Sequence, residues 1–336
     1  MKNEKVVYIL GAGFSKEAGG LLMAEFLRRR KLGSRRKRLN QVYLYIRRFL
    51  RRSIQHGLIK DWNIEEFFNI VSEADLLDLE FKRKFFPRNN WKASKIYRDL
   101  EDCIVNEILL SMEKKLKKLG STNPQLPSHY EDFARRCLTK DVTVITFNWD
   151  HIAEWLLFAE FKSLDYCLDL DNVKKADRAV GNISKGVKLL KLHGSVNWLI
   201  CENPNHPIHI YNSWQAQKVR LPYCSKCGYQ LRKLIVPPVW HKREYAQRIS
   251  ELWERAADEL CAADRIVIIG YSLPSFDLSA KYLFLLSTYL NRKVKVEIVN
   301  GPNFDAKRFK QFKQIFKHTA QITNTKMLFR EYVYSI

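Results

Sequence analysis

Lys5-Val6-Val7-Tyr8-Ile9-Leu10-Gly11-Ala12-Gly13-Phe14-Ser15 leads from an apolar run rich in Val and Ile into a pair of glycines. The run reads as a short, fully buried strand. The glycine turn passes into Ser15-Lys16-Glu17-Ala18, where a helix is expected to start and run to about Arg30. A helix start leaves backbone N–H groups unpaired, and its dipole favours an anion. Gly11 and Gly13 remove side chains that would keep a ligand from the backbone. Taken alone, the spacing reads first as a plain strand-to-helix turn.

The rest of the chain supplies the context. Val142 to Phe147, Val187 to Leu192, Arg265 to Ile269 and Val294 to Val299 are further apolar runs of strand length. Each ends on polar or glycine residues: Asn148-Trp149-Asp150, His193-Gly194-Ser195, Gly270-Tyr271-Ser272, and Asn300. Helical patterns separate them, starting near Ile152, His241, Ser275 and Phe304. Strands alternating with helices predict a parallel, doubly wound α/β sheet, a Rossmann fold. Such sheets bind ligands at the carboxyl ends of their strands. Five separated segments therefore converge on one edge, which no single motif would establish.

Residues 26–140 read as a helical insertion, and residues 1–25 with 141–324 as the Rossmann domain. Asn63 followed by Glu65 and Glu66 reads as a capped helix start. A longer helix is expected from about Ser94 to Leu119, and a short one from Tyr130 to Leu138. Between Glu25 and Asp61 the chain holds no acid, and basic clusters recur at 28–31, 35–38, 47–48 and 51–52. Val42, Ile46, Phe49 and Leu50 share one helical face, with the arginines elsewhere. Such a run is either a solvated face or a patch for nucleic acid or a partner protein.

With 336 residues and 46% hydrophobic content, the chain can bury a large core, and wholesale disorder is excluded. A formal charge of +22 exceeds what solubility needs and implies attraction to polyanions. Met1 leads almost directly into a strand, and no apolar run reaches spanning length. These features set the expectation of a cytoplasmic protein with no membrane partner. The 7 cysteines are scattered except for Cys224 and Cys227. That pair, followed by Gly228, forms a knuckle in a small β-rich module at 200–235. Cys201 with His206 or His209 would complete a tetrahedral zinc set, and otherwise the knuckle is a turn with two reduced thiols.

Several of these blocks together resemble the sirtuins. Gly11-Ala12-Gly13-Phe14-Ser15 is similar to their Gly-Ala-Gly-x-Ser loop, and Thr146-Phe147-Asn148-Trp149-Asp150 to their Thr-Gln-Asn-x-Asp motif, with Phe147 replacing Gln. Leu192-His193-Gly194 resembles the segment with the catalytic histidine. Gly270-Tyr271-Ser272 resembles the Gly-Thr-Ser loop, and Val299-Asn300 the strand end that meets the adenosine ribose. The order and approximate spacing agree from residue 5 to about 305. The blocks look most like those of sirtuin-like domains that cleave NAD in bacterial anti-phage effectors. Two features depart from protein-deacylating sirtuins. Gly20 to Phe26 holds no Asp-Phe-Arg, and one Cys-x-x-Cys pair stands where they have two.

The resemblance implies an NAD glycohydrolase that releases nicotinamide and ADP-ribose. Asn148 would hold the carboxamide or a water, His193 would accept a proton, and Asp150 would orient the nicotinamide portion. Gly11, Ala12, Gly13, Phe14, Ser15, Gly270, Ser272 and Asn300 would bind the dinucleotide. Cys201, His206, Cys224 and Cys227 would hold a structural zinc. Such an activity implies gating by a separate sensor protein or by oligomeric assembly. NAD-dependent deacylation or ADP-ribosyl transfer is the second reading. A nucleic-acid or partner-binding module with a non-catalytic NAD pocket is the third.

Overall fold

A central sheet of seven parallel strands runs in the order Gln321–Asn324, Lys295–Val299, Arg265–Ile269, Val6–Leu10, Thr143–Thr146, Asn182–Lys191, Ser163–Asp165. The computed structural model describes residues 4–28, 30, 32, 37–59, 62, 64–76, 80–81, 91–118, 126–139, 141–168, 170–171, 182–210, 222–237 and 248–336. Val6–Leu10 is buried along its whole length, as a strand covered on both faces must be. It pairs with Arg265–Ile269 on one side and Thr143–Thr146 on the other. The chain moves outward first on the Thr143 side and later returns to fill the Arg265 side. The reversal puts a crevice at the carboxyl end of Val6–Leu10.

The helical insertion comprises Lys37–Gln55, Ile64–Leu76, Ala93–Lys118 and Ser128–Cys137. Val42, Ile46, Phe49 and Leu50 are buried, as the periodicity requires. Their side chains join one continuous core with the strands. Hydrogen bonds also tie the insert to the segment after the glycine loop. Glu107 accepts from Tyr43 Oη at 2.9 Å and from the Leu27 N–H at 2.8 Å. Trp62 Nε1 donates to the Phe26 carbonyl at 2.8 Å. Arg28 and Arg47 lie over the Trp62 ring, 5.8 and 5.6 Å from its centroid. Part of the basic run is therefore used in packing. Arg29, Lys31, Arg35, Arg36 and Asn63 lie outside the described residues.

A second sheet runs Arg232–Ile235, Gly194–Ile200, Ile208–Ile210, Leu170–Asp171. Gly194–Ile200 follows the central strand Asn182–Lys191 after a turn at His193, where Gly194 has φ +73°. The small module is thus anchored beside the crevice.

Several elements differ from the sequence reading. The first helix is a single turn, Ala12–Ser15, followed by turns and a 3-10 segment at Met23–Glu25. Gly19 at φ +99° and the Gly20 N–H bonded to the Ser15 carbonyl end it early. Ser163–Asp165 is an edge strand of the central sheet, where the sequence analysis named no strand. Gln321–Asn324 extends the sheet beyond Lys295–Val299, which reads as the last clear strand in the sequence. Finally, Phe329–Ser335 forms a helix whose Phe329 packs on Phe14, with centroids 4.8 Å apart.

Candidate active site

A cleft of about 900 Å³ lies at the carboxyl ends of the central strands. That volume suits a ligand of dinucleotide size. Ala12 and Gly13, Asn148 and Asp150, His193, Gly270 and Ser272, and Asn300 all line it, one group from each of five strand ends. Gly11, Phe14 and Ser15 stand behind the wall rather than on it. Gly11 backs onto Tyr271, whose Cα would lie 2.4 Å from an added Cβ. Phe14 packs edge-on against Tyr130 in the core, with centroids 5.1 Å apart. Ser15 is buried, and its hydroxyl accepts from Asn148 Nδ2 at 3.0 Å. The glycines also serve each other. Gly270 has φ +65°, and an added Cβ there would lie 2.1 Å from the Phe14 nitrogen. The two loops pack backbone to backbone, which only glycine allows.

Asn148 fixes this arrangement from the next strand. Its Nδ2 also donates to the Gly11 carbonyl at 2.7 Å, and its backbone N–H donates to Thr146 Oγ1 at 3.1 Å. Asp150 is buried, and its Oδ1 accepts from the Ile152 N–H at 3.0 Å, at the start of the next helix. Burial pushes its carboxyl up, and the nearby Lys191 ammonium opposes the shift. Lys191 itself is fully buried and paired with Glu154 at 2.8 Å.

His193 sits on the floor with 3% exposure. Its Nε2 is 3.2 Å from Asp277 Oδ2. The same oxygen accepts from Tyr271 Oη at 3.0 Å, and Asp277 Oδ1 accepts from the Ala280 N–H at 3.4 Å. Asp277 is fully buried and caps the Leu278–Leu290 helix. Burial, followed by the Asp277 charge, holds the Tyr271 phenol well above its ordinary value. Phe147 stacks on Tyr271 at 4.5 Å and meets the His193 ring edge-on at 5.1 Å. The residue that replaces Gln in the motif is thus an apolar wall for the imidazole.

Sequence reasoning missed two carboxylates. Asp277 had a usable signal, an Asp directly before an apolar helix and seven residues beyond the loop glycine. Glu65 had none. It reads as an ordinary first-turn acid, yet it is buried on the insert side of the cleft. Burial first, then repulsion from Asp277, pushes its carboxyl up to about 7, with Arg308 and Lys281 pulling the other way.

The small module carries a separate cluster. The ligand atoms of Cys201, His206, Cys224 and Cys227 all lie within 4.8 Å of one another. His209 lies outside this cluster, on the Ile208–Ile210 strand. The Cys224 carbonyl accepts from the Gly228 N–H at 2.9 Å, and the Cys224 N–H donates to the Tyr229 carbonyl at 2.7 Å. Burial disfavours the Cys224 thiolate, but backbone N–H groups of Lys226 and Cys227 outweigh it and bring the thiol down to about 6. Three thiols and one imidazole at this spacing fit a tetrahedral zinc ion.

The chain is similar to Sir2 proteins. A Sir2 homolog in complex with NAD shares 17% identity, with 99% of this chain and 88% of that one covered, at a TM-score of 0.49. Sir2Tm bound to a propionylated peptide shares 15% identity over 99% and 92% of the chains, at 0.42. Sir2 bound to an acetylated peptide shares 15% over 98% and 91%, at 0.44. No protein-family profile matches the chain, and no curated protein does. Among the described residues, no helix is long and apolar enough to cross a membrane.

Proposed function

We propose that the chain is an NAD glycohydrolase that yields nicotinamide and ADP-ribose, and that it serves as a gated effector of anti-phage defence. The observation that carries this reading is the buried His193–Asp277 pair, set in a cleft that Asn148, Ser272 and Asn300 also line. The defence role rests on the likeness of its sequence blocks to those effectors.

The chemistry suits these residues. When the C1′–nitrogen bond breaks, its electron pair returns to the pyridinium ring, and nicotinamide leaves neutral without an acid. The ribose passes through an oxocarbenium-like state, as in glycoside hydrolysis. Water then adds to C1′ and gives its proton to His193. Asp277 holds one imidazole nitrogen, orients the ring and stabilises the imidazolium that forms. Both Nδ2 hydrogens of Asn148 are engaged by the glycine loop, so Oδ1 is the acceptor that remains for the carboxamide N–H or the water. Ala12 and Gly13 would bring backbone against the pyrophosphate, and Asn300 would meet the adenosine ribose. The Asn300 amide donates to the Tyr271 carbonyl at 2.7 Å, which ties the last strand end to the same loop.

Two features favour hydrolysis over deacylation. Gly20 to Phe26 carries no Asp-Phe-Arg, and its cleft-lining residues Leu21, Leu22 and Met23 are apolar. A zinc ion held by Cys201, His206, Cys224 and Cys227 would brace the small module, outside the chemistry.

The test is nicotinamide release, followed by chromatography, from the protein with NAD alone. Release without an acyl-lysine peptide supports the reading. Release only when that peptide is added replaces it with deacylation. Transfer of labelled ADP-ribose to protein replaces it with ADP-ribosylation. Binding without turnover in every state leaves a nucleotide-binding module.

A further inference from the structure

The helix Leu278–Leu290 carries apolar side chains on both of its faces. Ala280, Leu283 and Phe284 turn to the interior and are buried. Leu278, Tyr282, Leu285, Leu286, Tyr289 and Leu290 form the opposite face and are exposed, Tyr282 and Leu290 by 66% each. Their spacing sets them in one stripe along the helix. The only charged residue of this helix, Lys281, is half-buried and donates to the Ser275 carbonyl at 2.8 Å. A helix that is apolar all round belongs in an interior. Single exposed leucines are ordinary, but a continuous apolar stripe marks an interaction surface.

Two helices frame this face. Ser250–Cys261 lies on one side, where Cys261 Sγ meets the Ser287 carbonyl at 3.8 Å and Asn291 Nδ2 donates to the Ala263 carbonyl at 2.7 Å. Ala306–Ile315 lies on the other side, just before Phe316, whose ring is 5.6 Å from that of Phe284. The order of the sheet separates the two. Glu259 of the first accepts from Thr143 Oγ1 at 3.0 Å, beyond Val6–Leu10, whereas the second joins the strands Lys295–Val299 and Gln321–Asn324 at the far edge. These flanks carry opposite charge. The exposed charges of Ser250–Cys261 are Glu251, Glu254 and Asp258, with one arginine, Arg255. Ala306–Ile315 holds no acid, and its Lys307, Arg308, Lys310 and Lys313 are exposed.

We propose that this face is a twofold interface with a second copy of the chain. A twofold axis parallel to the helix, within the plane of contact, lays Leu278–Leu290 on its own copy and crosses the flanks. Each acidic helix then meets the basic helix of the other copy, as a self-complementary surface requires. A partner of one charge sign, or an anionic membrane surface, would match only one flank. Helices of this length span about 20 Å and pack about 10 Å apart, so the layer of three offers each copy roughly 600 Å². The pair then lies near the lower end of stable interfaces. None of the six apolar residues lines the cleft, so the second copy leaves the cleft open. The proposal stands independently of the NAD reading.

Sedimentation velocity on the full chain, across a concentration series, should show a dimer at micromolar concentration. Tyr282→Glu with Leu286→Glu should leave a monomer, and circular dichroism should show it folded, since both positions are exposed. Two further variants test the crossed flanks. Changing Glu251, Glu254 and Asp258 to Lys makes both flanks basic. Changing Lys310, Lys313 and Lys317 to Glu turns the outer part of the basic flank acidic. Each alone should weaken the dimer at least tenfold, the cost of like charges brought together. Mixed in equal amounts, the two variants should restore it as a heterodimer. A parent that stays monomeric throughout the series overturns the proposal. So does a dimer that persists in Tyr282→Glu with Leu286→Glu, or a mixture of the charge variants that stays monomeric. Co-sedimentation of a monomeric parent with phosphatidylglycerol vesicles would assign the face to a membrane instead and overturn it as well.

Discussion

The two walls of the cleft are built on different principles. The sheet wall comes from five strand ends held in register by a parallel ladder and a fully buried first strand. Its polar groups lock one another: Asn148 to Gly11 and Ser15, Asn300 to Tyr271, His193 to Asp277. The insert wall offers Trp62, Glu65 and Ile108 from helices packed on that framework. One wall fixes geometry within a rigid scaffold, and the other adjusts charge and apolar cover. A site split this way can keep its chemistry while the insert varies.

The largest expected effect is on the sheet wall. His193→Ala should reduce nicotinamide release by about 10²–10⁴-fold, the usual share of general acid–base catalysis. Asn148→Ala should fall in the same range, and the double variant should be little worse than the poorer single one. Steady-state rates with folded, monodisperse protein check this. Wild-type turnover by His193→Ala would remove the sheet wall from the chemistry and shift the weight to the insert.

Gly270→Ala tests rigidity instead of chemistry. At φ +65°, with the Phe14 nitrogen 2.1 Å from the new Cβ, the two glycine loops must separate. Destabilisation of about 2 kcal/mol or more is expected, within the range for strain at a special backbone position. Chemical denaturation should show a lower midpoint with the slope unchanged. An unchanged midpoint would mean that the loops part freely, and the contrast in stiffness between the walls would fail.

The knuckle sharpens the contrast from outside the cleft. Metal analysis should find about one zinc per chain, because a closed tetrahedral site takes one ion. Cys227→Ser should lose that zinc and lower the melting temperature through loss of a folding ligand. NAD affinity should change little, since the cluster belongs to the second sheet and not to the cleft. A large drop in affinity would mean that the small module positions His193.

What was legible follows from what a linear pattern can record. Short apolar runs ending on Gly11, Asn148, His193, Gly270 and Asn300 gave the parallel sheet and its ligand edge, because strand burial and strand-end polarity are local. The turn residues that end Ala12–Ser15 were visible as Gly19 and Gly20, but the helical pattern beyond them outweighed that signal. Gln321–Asn324 stayed hidden because an edge strand with half-exposed residues lacks an apolar run. The knuckle cysteines were plain, whereas the choice of His206 over His209 depends on the path of the module backbone. Glu65 was out of reach for a physical reason. Its significance comes from burial and from the charge of Asp277, more than 200 residues away in the sequence.

The smallest expected effect concerns the outer surface of the insert. Arg28 and Arg47 already lie over Trp62, and Arg47 Nε donates to the Leu27 carbonyl at 3.1 Å, so neither is free to track a phosphate backbone. Arg51 and Arg52 are exposed on the Lys37–Gln55 helix and remain available. If this face meets nucleic acid, replacing both by Ser should weaken binding to a short duplex by an amount that depends on salt. The slope of log affinity against log salt should drop by about 1.8, roughly 0.9 for each phosphate that is no longer neutralised. Fluorescence anisotropy across a salt series measures it. Stability should stay within about 0.5 kcal/mol, as for surface positions away from special features. An unchanged slope would make these arginines a solvated face. The insert would then act on function only through its inner wall.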